Sequence, residues 1–423
     1  MKAIFFIRHH NDYDSLAPVA DGWARAAPDN EAIIYVSTPA LKWKKDVRTA
    51  LLRDTPRVTF VDLWQIAGAG EYSMLERAWQ NNLPDDRLQR RVLELTTEMR
   101  IAPGYDRKLS RWLERQAPDI VAFDWWDVPK RRKPFDHFGY QTTIDWTQAH
   151  SVPLVSLPHG LFVYWPKTAC AIRWKMSCDA IFVENEIRRR MFIEGGHAPE
   201  QIAACGAPRY DVGWIERIAS ALARGHEKTQ PKRRDGEVRI VFFGKRAAYY
   251  YDFDEQLEWL RHLADHPAVR LTIQPHPRGQ KLKSLRALAG HPHIEIDART
   301  PASLLIRGAD MVSTLTSSVM VEGVMTGREI LYPRYLTSVE TPFDNKGACV
   351  AIDRIEDTHA AIDRYLAGER IPKRAYEEFL KEIVFAGKGP HPIARIVERM
   401  SSLARHKRCE RPMHSAKSSV GAN

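Results

Sequence analysis

Hydrophobic positions along the chain fall into short unbroken runs separated by longer stretches of helical spacing. Apolar runs occupy 2–7, 32–37, 57–63, 119–123, 153–157, 180–183 and 202–205, and each ends in polar or turn residues. Between most of them apolar residues recur every three to four positions, as over 87–99 and 108–116, which predicts amphipathic helices. A continuous apolar strand followed by a helix is the pattern of a parallel sheet covered on both faces.

A second series of the same kind starts after a polar, basic interval. It predicts strands at 238–243, 269–274, 294–296, 310–315, 329–332 and 349–352, with helices at 254–266, 281–289, 302–308 and 319–326. From 358 to about 403 the pattern stays helical. The predicted fold class is α/β: two doubly wound, Rossmann-like domains facing across a cleft and closed by C-terminal helices. The expected division is an N-terminal domain over 1–215, a linker over 216–236, a second domain over 237–375, helices over 376–404 and a disordered basic tail over 405–423. The linker is placed by its composition, which includes His226-Glu227-Lys228-Thr229-Gln230-Pro231-Lys232-Arg233-Arg234-Asp235-Gly236 and cannot bury a core.

The length of 423 residues, 44% of them hydrophobic, exceeds one ordinary core and agrees with two domains. The longest apolar runs are strand-length, far short of the ~20 residues that span a bilayer. Arg8-His9-His10 follows the first run directly, leaving no room for a signal peptide. A cytoplasmic protein is expected. The five cysteines form no CxxC pair, which favours reduced thiols over a disulfide framework or a zinc site. A net charge of +10 suits an enzyme of anionic nucleotides or one working beside an anionic membrane as well as it suits nucleic acid, so charge alone does not choose.

Ligands of open α/β sheets bind beyond the carboxyl ends of the strands, so the chemistry is sought in strand exits. In the second half, Gln274-Pro275-His276-Pro277-Arg278 puts a histidine between two prolines directly after a strand, with an arginine beside it. A fixed imidazole there can donate to a phosphate, although a proline-rich surface turn reads the same way. Thr316-Ser317-Ser318 ends a buried strand and opens a helix, which fits either an anion site or simple capping by Ser317 or Ser318. Glu322, in the first turn of that helix, could accept from ribose hydroxyls or be a surface glutamate favoured by the helix dipole. Gly244 and Lys245 give a tight strand exit with a cation, without the spacing of a Walker loop or a GxGxxG fingerprint. In the first half, Asp124, His159 and Glu184 each follow an apolar strand and are candidate bases, against a structural role for each. Trp125, Trp126, Tyr164 and Trp165 could stack on a sugar ring or simply pack.

These residues resemble a known group, bacterial enzymes of surface-polysaccharide and teichoic-acid synthesis with the GT-B fold. The group includes capsule Kdo transferases, sialyltransferase-like enzymes and CDP-glycerol glycerophosphotransferases. The similar stretches are Pro158-His159-Gly160, Ala180 to Glu186, Cys205-Gly206-Ala207-Pro208-Arg209-Tyr210-Asp211, Gln274 to Pro277, and Thr316-Ser317-Ser318 with Glu322-Gly323. The resemblance implies that His276 and the Ser317-Ser318 turn hold the nucleotide phosphates and that Glu322 lies near the ribose; by their strand-exit positions Gly244, Lys245, Gln274, Arg278 and Thr316 are expected to complete the nucleotide site. It implies catalysis by His159 or Asp124. The expected function is transfer of a sugar from a CMP-linked donor to a bacterial surface polysaccharide or glycolipid. The alternatives are a CDP-glycerol or CDP-ribitol phosphotransferase, a UDP-sugar 2-epimerase-like enzyme, or a non-catalytic nucleotide-binding subunit of a capsule assembly complex. The expected partners are a nucleotide sugar and a glycan or glycolipid, with peripheral contact at the inner membrane and no nucleic acid. No cofactor is expected: without a DxD pattern near the second-half site, the mechanism is expected to be metal-independent.

Overall fold

The computed structural model describes residues 1–8, 10–37, 43–68, 102–124, 139–158, 160–161, 177–225, 234–244, 252–276 and 285–410. The first seven strands, β1 (Lys2–Ile7), β2 (Glu31–Val36), β3 (Val58–Asp62), β4 (Ile120–Asp124), β5 (Leu154–Leu157), β6 (Ala180–Val183) and β7 (Ile202–Ala204), make one sheet in the order β3-β2-β1-β4-β5-β6-β7. The next six, β8 (Val238–Phe243), β9 (Val269–Gln274), β10 (Ile294–Ile296), β11 (Met311–Ser313), β12 (Glu329–Pro333) and β13 (Val350–Ile352), make a second sheet in the order β10-β9-β8-β11-β12-β13. Every pairing within both sheets is parallel. Strands such as β1 and β4 are buried along both faces, which is why they read as unbroken apolar runs.

Several expected boundaries shift for visible reasons. The strand expected over 57–63 stops at Asp62 because Asp62 and Gln65 form a capping box that starts the helix Leu63–Ala67, with the Asp62 N–H donating to Gln65 Oε1 at 2.6 Å. The strand expected over 310–315 ends at Ser313, and the Thr314 hydroxyl turns to donate to the Phe243 carbonyl at 2.8 Å. The helical stretch over 358–403 is three pieces: Asp357–Leu366, Lys373–Phe379 with a π-turn over Leu380–Val384, and Pro392–Glu410. Gly368 at φ 93° ends the first, and Ala386 and Gly387, at φ 57° and 74°, separate the last two. The helix expected over 87–99 lies outside the described residues.

The interval read as a linker begins inside a helix. Val212–Gly225 takes up its first ten residues and packs Trp214, Ile218 and Ala221 onto the first domain's core. Ile215 meets the second domain's core instead, and a composition window averages these spaced apolar residues with the basic ones that follow.

The C-terminal helices close both domains, as expected of them, and do not all stay on the second. Helix Pro392–Glu410 returns to the first and buries Ile396, Val397, Met400 and Ala404 with Leu16, Val19 and Trp23. A β-carbon on Gly22 would overlap Ile393 Cγ2, so glycine lets helix His10–Ala26 take this partner at close range.

The chain therefore crosses between the sheets again at residues 384–392, beside the segment 205–211. The Ala207 N–H donates to the Val384 carbonyl at 2.8 Å and Lys388 Nζ to the Ala204 carbonyl at 3.0 Å. Arg395 donates to three carbonyls, of Cys205 (3.0 Å), Gly389 (2.7 Å) and Phe385 (3.3 Å). Among the described residues no helix is long and apolar enough to cross a membrane.

Candidate functional site

In both sheets the strand order reverses beside the first strand, between β1 and β4 in one and between β8 and β11 in the other. Connections leave on opposite faces at such a point, so a crevice opens above the carboxyl ends of the two central strands. Several of the described candidate residues, Asp124, Gly244 and the 314–318 turn among them, follow the strands at these two places.

At the first crevice, Arg8 follows β1, Asp124 ends β4 and Asp12 lies in the first turn of helix His10–Ala26. All three are buried. The Arg8 N–H donates to Asp12 Oδ2 at 3.0 Å, and the guanidinium approaches the same oxygen at 3.8 Å while lying 5.2 Å from the Tyr140 ring centre. Asp12 is thus held as the charged partner of Arg8. Asp124 hydrogen-bonds to Asp12, which requires a proton between the two carboxyl groups, and burial pushes Asp124 up to about 6 against the opposing pull of that bond and of Arg8. Asp124 pairs with Leu157 in the ladder. His159 itself lies outside the described residues; next to it, the Gly160 N–H donates to Ser15 Oγ at 3.3 Å. The sheet thereby draws Asp124, Asp12 and residue 160 to one corner.

At the second crevice, Gly244, Gln274 and the 314–318 turn come from three adjacent strands. The Gly244 N–H donates to the Gln274 carbonyl at 2.8 Å, continuing the β8–β9 ladder. Gln274 spends its side-chain amide on the Thr300 carbonyl at 2.6 Å. His276 is half-buried two residues past β9, and Thr316 is buried. Lys245 and Arg278 lie outside the described residues, as do Trp125, Trp126, Tyr164 and Trp165.

Two sequence expectations change here. Ser318 stands at the N-cap of helix Val319–Met325, but its side chain makes no capping bond, and Ser317 Oγ accepts from the Val319 N–H only at 3.4 Å. Met320 and Val321 N–H groups close back onto the Ser317 and Ser318 carbonyls at 3.3 and 3.1 Å, so this turn would meet an anion with its hydroxyls more than with helix-end amides. Glu184 is buried with Arg188 at 3.3 Å, one helical turn on, which makes it a structural ion pair and not a free base.

Glu322 is half-buried, and burial raises its carboxyl above the ordinary range while a hydrogen bond to Ser303 and the charges of Arg209 and Arg307 oppose the rise. The signal missed in the sequence is Arg209. It follows β7 on the turn Pro208–Tyr210, and its NH1 lies 3.2 Å from Asp14 Oδ2 of the first domain's opening helix. Asp14 also pairs with the buried Arg48. Tyr210, beside Arg209, donates its hydroxyl to the Ser318 carbonyl at 2.6 Å. The segment 207–210 thus ties the second crevice to the helix that opens the first. The only sequence clue was the stretch Pro208-Arg209-Tyr210-Asp211 itself.

Two parallel, Rossmann-like sheets, each with its switch-point crevice, define the GT-B class of fold. Solved structures agree. A UDP-GlcNAc 2-epimerase from Methanocaldococcus jannaschii is similar at TM-score 0.60 and 11% identity, covering 95% of this chain and 100% of that one. One from Neisseria meningitidis, bound to UDP-GlcNAc, is similar at TM-score 0.58 and 12% identity, covering 96% and 100%. The glycotransferase of kitacinnamycin is similar at TM-score 0.55 and 12% identity, covering 95% and 99%. At these identities the likeness is one of fold. No family model and no curated protein sequence matches the chain.

Proposed function

We propose that the protein binds a nucleotide sugar in the second crevice and transfers its sugar to an acceptor held over the first. The observation that carries this reading is the buried Asp12–Asp124 pair, with Arg8 beside it, at the switch point of the first sheet of a two-sheet fold. His276, Thr316, Ser317 and Ser318 are assigned to the nucleotide's phosphates, with Gly244, Lys245, Gln274 and Arg278 completing that wall and Glu322 placed at the ribose. His159 is assigned to the acceptor hydroxyl, and Asp124 to holding the proton. An ionised carboxyl with a value near 6 accepts that proton at neutral pH and returns it readily.

The solved neighbours include two 2-epimerases captured with UDP-GlcNAc, which supports a nucleotide-sugar ligand and keeps epimerisation as the second reading. The CMP-linked donor, the surface-glycan acceptor and any contact with the inner membrane belong to the proposal. So does the division into domains, with the two crossings at 205–211 and 384–392 as the hinge in place of 216–236.

The direct test is titration of CMP, CDP and UDP into the wild-type chain and into His276→Ala. Loss of at least about tenfold in affinity is expected, as for removal of a charged hydrogen-bond partner of a phosphate; unchanged binding removes the site assignment. Turnover of a UDP-sugar without acceptor would select the epimerase.

A further inference from the structure

Arg209 sits where no side chain was assigned a role. Its guanidinium is 28% exposed and lies between two carboxylates, Asp14 of the first domain at 3.2 Å and Glu322 of the second, whose charges both act on it. Its ring neighbour is Tyr210, 4.9 Å away at the centroid, and the Tyr210 hydroxyl clamps the segment to Ser318. Ala207 and Tyr210 are buried with the second sheet's core, while the turn that carries Arg209 also lies against helix His10–Ala26, so Arg209 sits where the two domains meet. Asp14 has a second arginine, Arg48, in contact. Removing Arg209 from Asp14 therefore leaves that carboxylate still paired.

We propose that Arg209 is a partner-exchanging phosphate ligand, released by Asp14 to grip the diphosphate of a nucleotide bound beside Ser318. This rests on the nucleotide-site reading above and adds to it a cation and a link between domains. A guanidinium presents a planar fork that matches two phosphate oxygens, and a diphosphate carries more charge than the single carboxylate it displaces. The exchange has a mechanical side: the arginine lets go of the first domain's opening helix when the ligand arrives. Nucleotide binding and the relative position of the two domains are then one equilibrium.

The experiment is calorimetric titration of CDP, UDP and the nucleoside cytidine into wild type, Arg209→Ala, Arg209→Lys and Asp14→Asn, with a thermal melt of each. Arg209→Ala is expected to bind the diphosphates at least about tenfold more weakly and cytidine unchanged, because only the phosphates meet the guanidinium. Arg209→Lys, which keeps the charge without the fork, should fall between and guards against a misfolded alanine variant. Asp14→Asn should bind the diphosphates a few-fold more tightly, since nothing has to be given up. If the wild type binds CDP or UDP and Arg209→Ala binds it equally well, or loses cytidine in the same proportion, the assignment of Arg209 is overturned. If Asp14→Asn weakens binding as Arg209→Ala does, the partner exchange is overturned. If the wild type binds neither diphosphate, the nucleotide site itself fails, and Arg209's role with it.

Discussion

Asp12 and Asp124 meet through a hydrogen bond beneath the first crevice, with Arg8 as the charge nearest to both. Only one of the pair is held by the guanidinium, so the other carries the cost of burial. A carboxyl raised from 3.8 to about 6 in the folded chain favours folding fully at acid pH and disfavours it as pH rises through about 6, by on the order of 3 kcal/mol. Asp124→Asn keeps the shape without the charge. It should melt several degrees higher than wild type at pH 8, show a much smaller difference at pH 4.5, and lose the proposed transfer activity. Equal melting differences at the two pH values would mean that Asp124 is not the member of the pair that carries the proton.

The crossing between the two sheets should be sensitive to single atoms. Gly206 is at φ 93°, and an added β-carbon would lie 2.9 Å from Pro392 Cβ and 3.1 Å from the Val384 carbonyl oxygen. Gly206→Ala adds left-handed strain to that overlap and should cost about 2 kcal/mol or more. The measurement is urea unfolding, which should give a lower midpoint.

Arg395→Met removes one staple from both crossings while keeping an unbranched apolar chain. Loss of charged hydrogen bonds to the carbonyls of Cys205, Gly389 and Phe385 should cost about 2–4 kcal/mol. Hydrogen exchange should accelerate over 384–392 before it does in the sheets. Uniform acceleration would place the arginine's effect elsewhere.

An acid response is expected in the second domain. His262 stacks on His359 at 4.2 Å, and its Nε2 is buried without a hydrogen-bond partner among the described residues. Burial, then the His359 charge, push His262 below the ordinary histidine range, against Asp265, Glu356 and Glu258. A depressed histidine contributes stability that is present above the unfolded value near 6.5 and is lost as pH falls through the folded one. The urea midpoint should therefore drop between pH 7.5 and 5, and His262→Phe, which keeps the stack, should drop less.

Glu322→Gln tests the ribose assignment separately from the phosphates. The wild type should prefer CMP over its 2′-deoxy form, and the variant should narrow that preference by a few-fold. A preference left intact would confine Glu322 to its bonds with Ser303 and the nearby arginines.

The sheets were legible because β1, β6 and β8 are buried on both faces and β9 on alternate positions, and these strands and β10 lie where the apolar runs put them. Strand ends were less so, since β3 and β11 stop at side-chain bonds, Gln65 to Asp62 and Thr314 to Phe243, that no periodicity encodes. The crevice residues were found by position after strands, a rule of parallel sheets. It does not separate Asp124, which meets another carboxyl, from Glu184, which meets its own helix's Arg188. Arg209 and the return of Pro392–Glu410 depend on contacts between residues far apart in the chain, Arg209 with Asp14 and Val397 with Leu16, which local patterns do not record.

That returning helix also sets a timetable. Ile396, Val397, Met400 and Ala404 cover the face of His10–Ala26, yet they leave the ribosome after the whole second sheet has been made. At ordinary synthesis rates the first domain waits roughly 10 to 40 seconds for its final layer, with Leu16 and Val19 unsheltered in the interval. A chain cut before residue 392 would stay in that condition permanently, as a finished second domain joined to an open, adhesive first one.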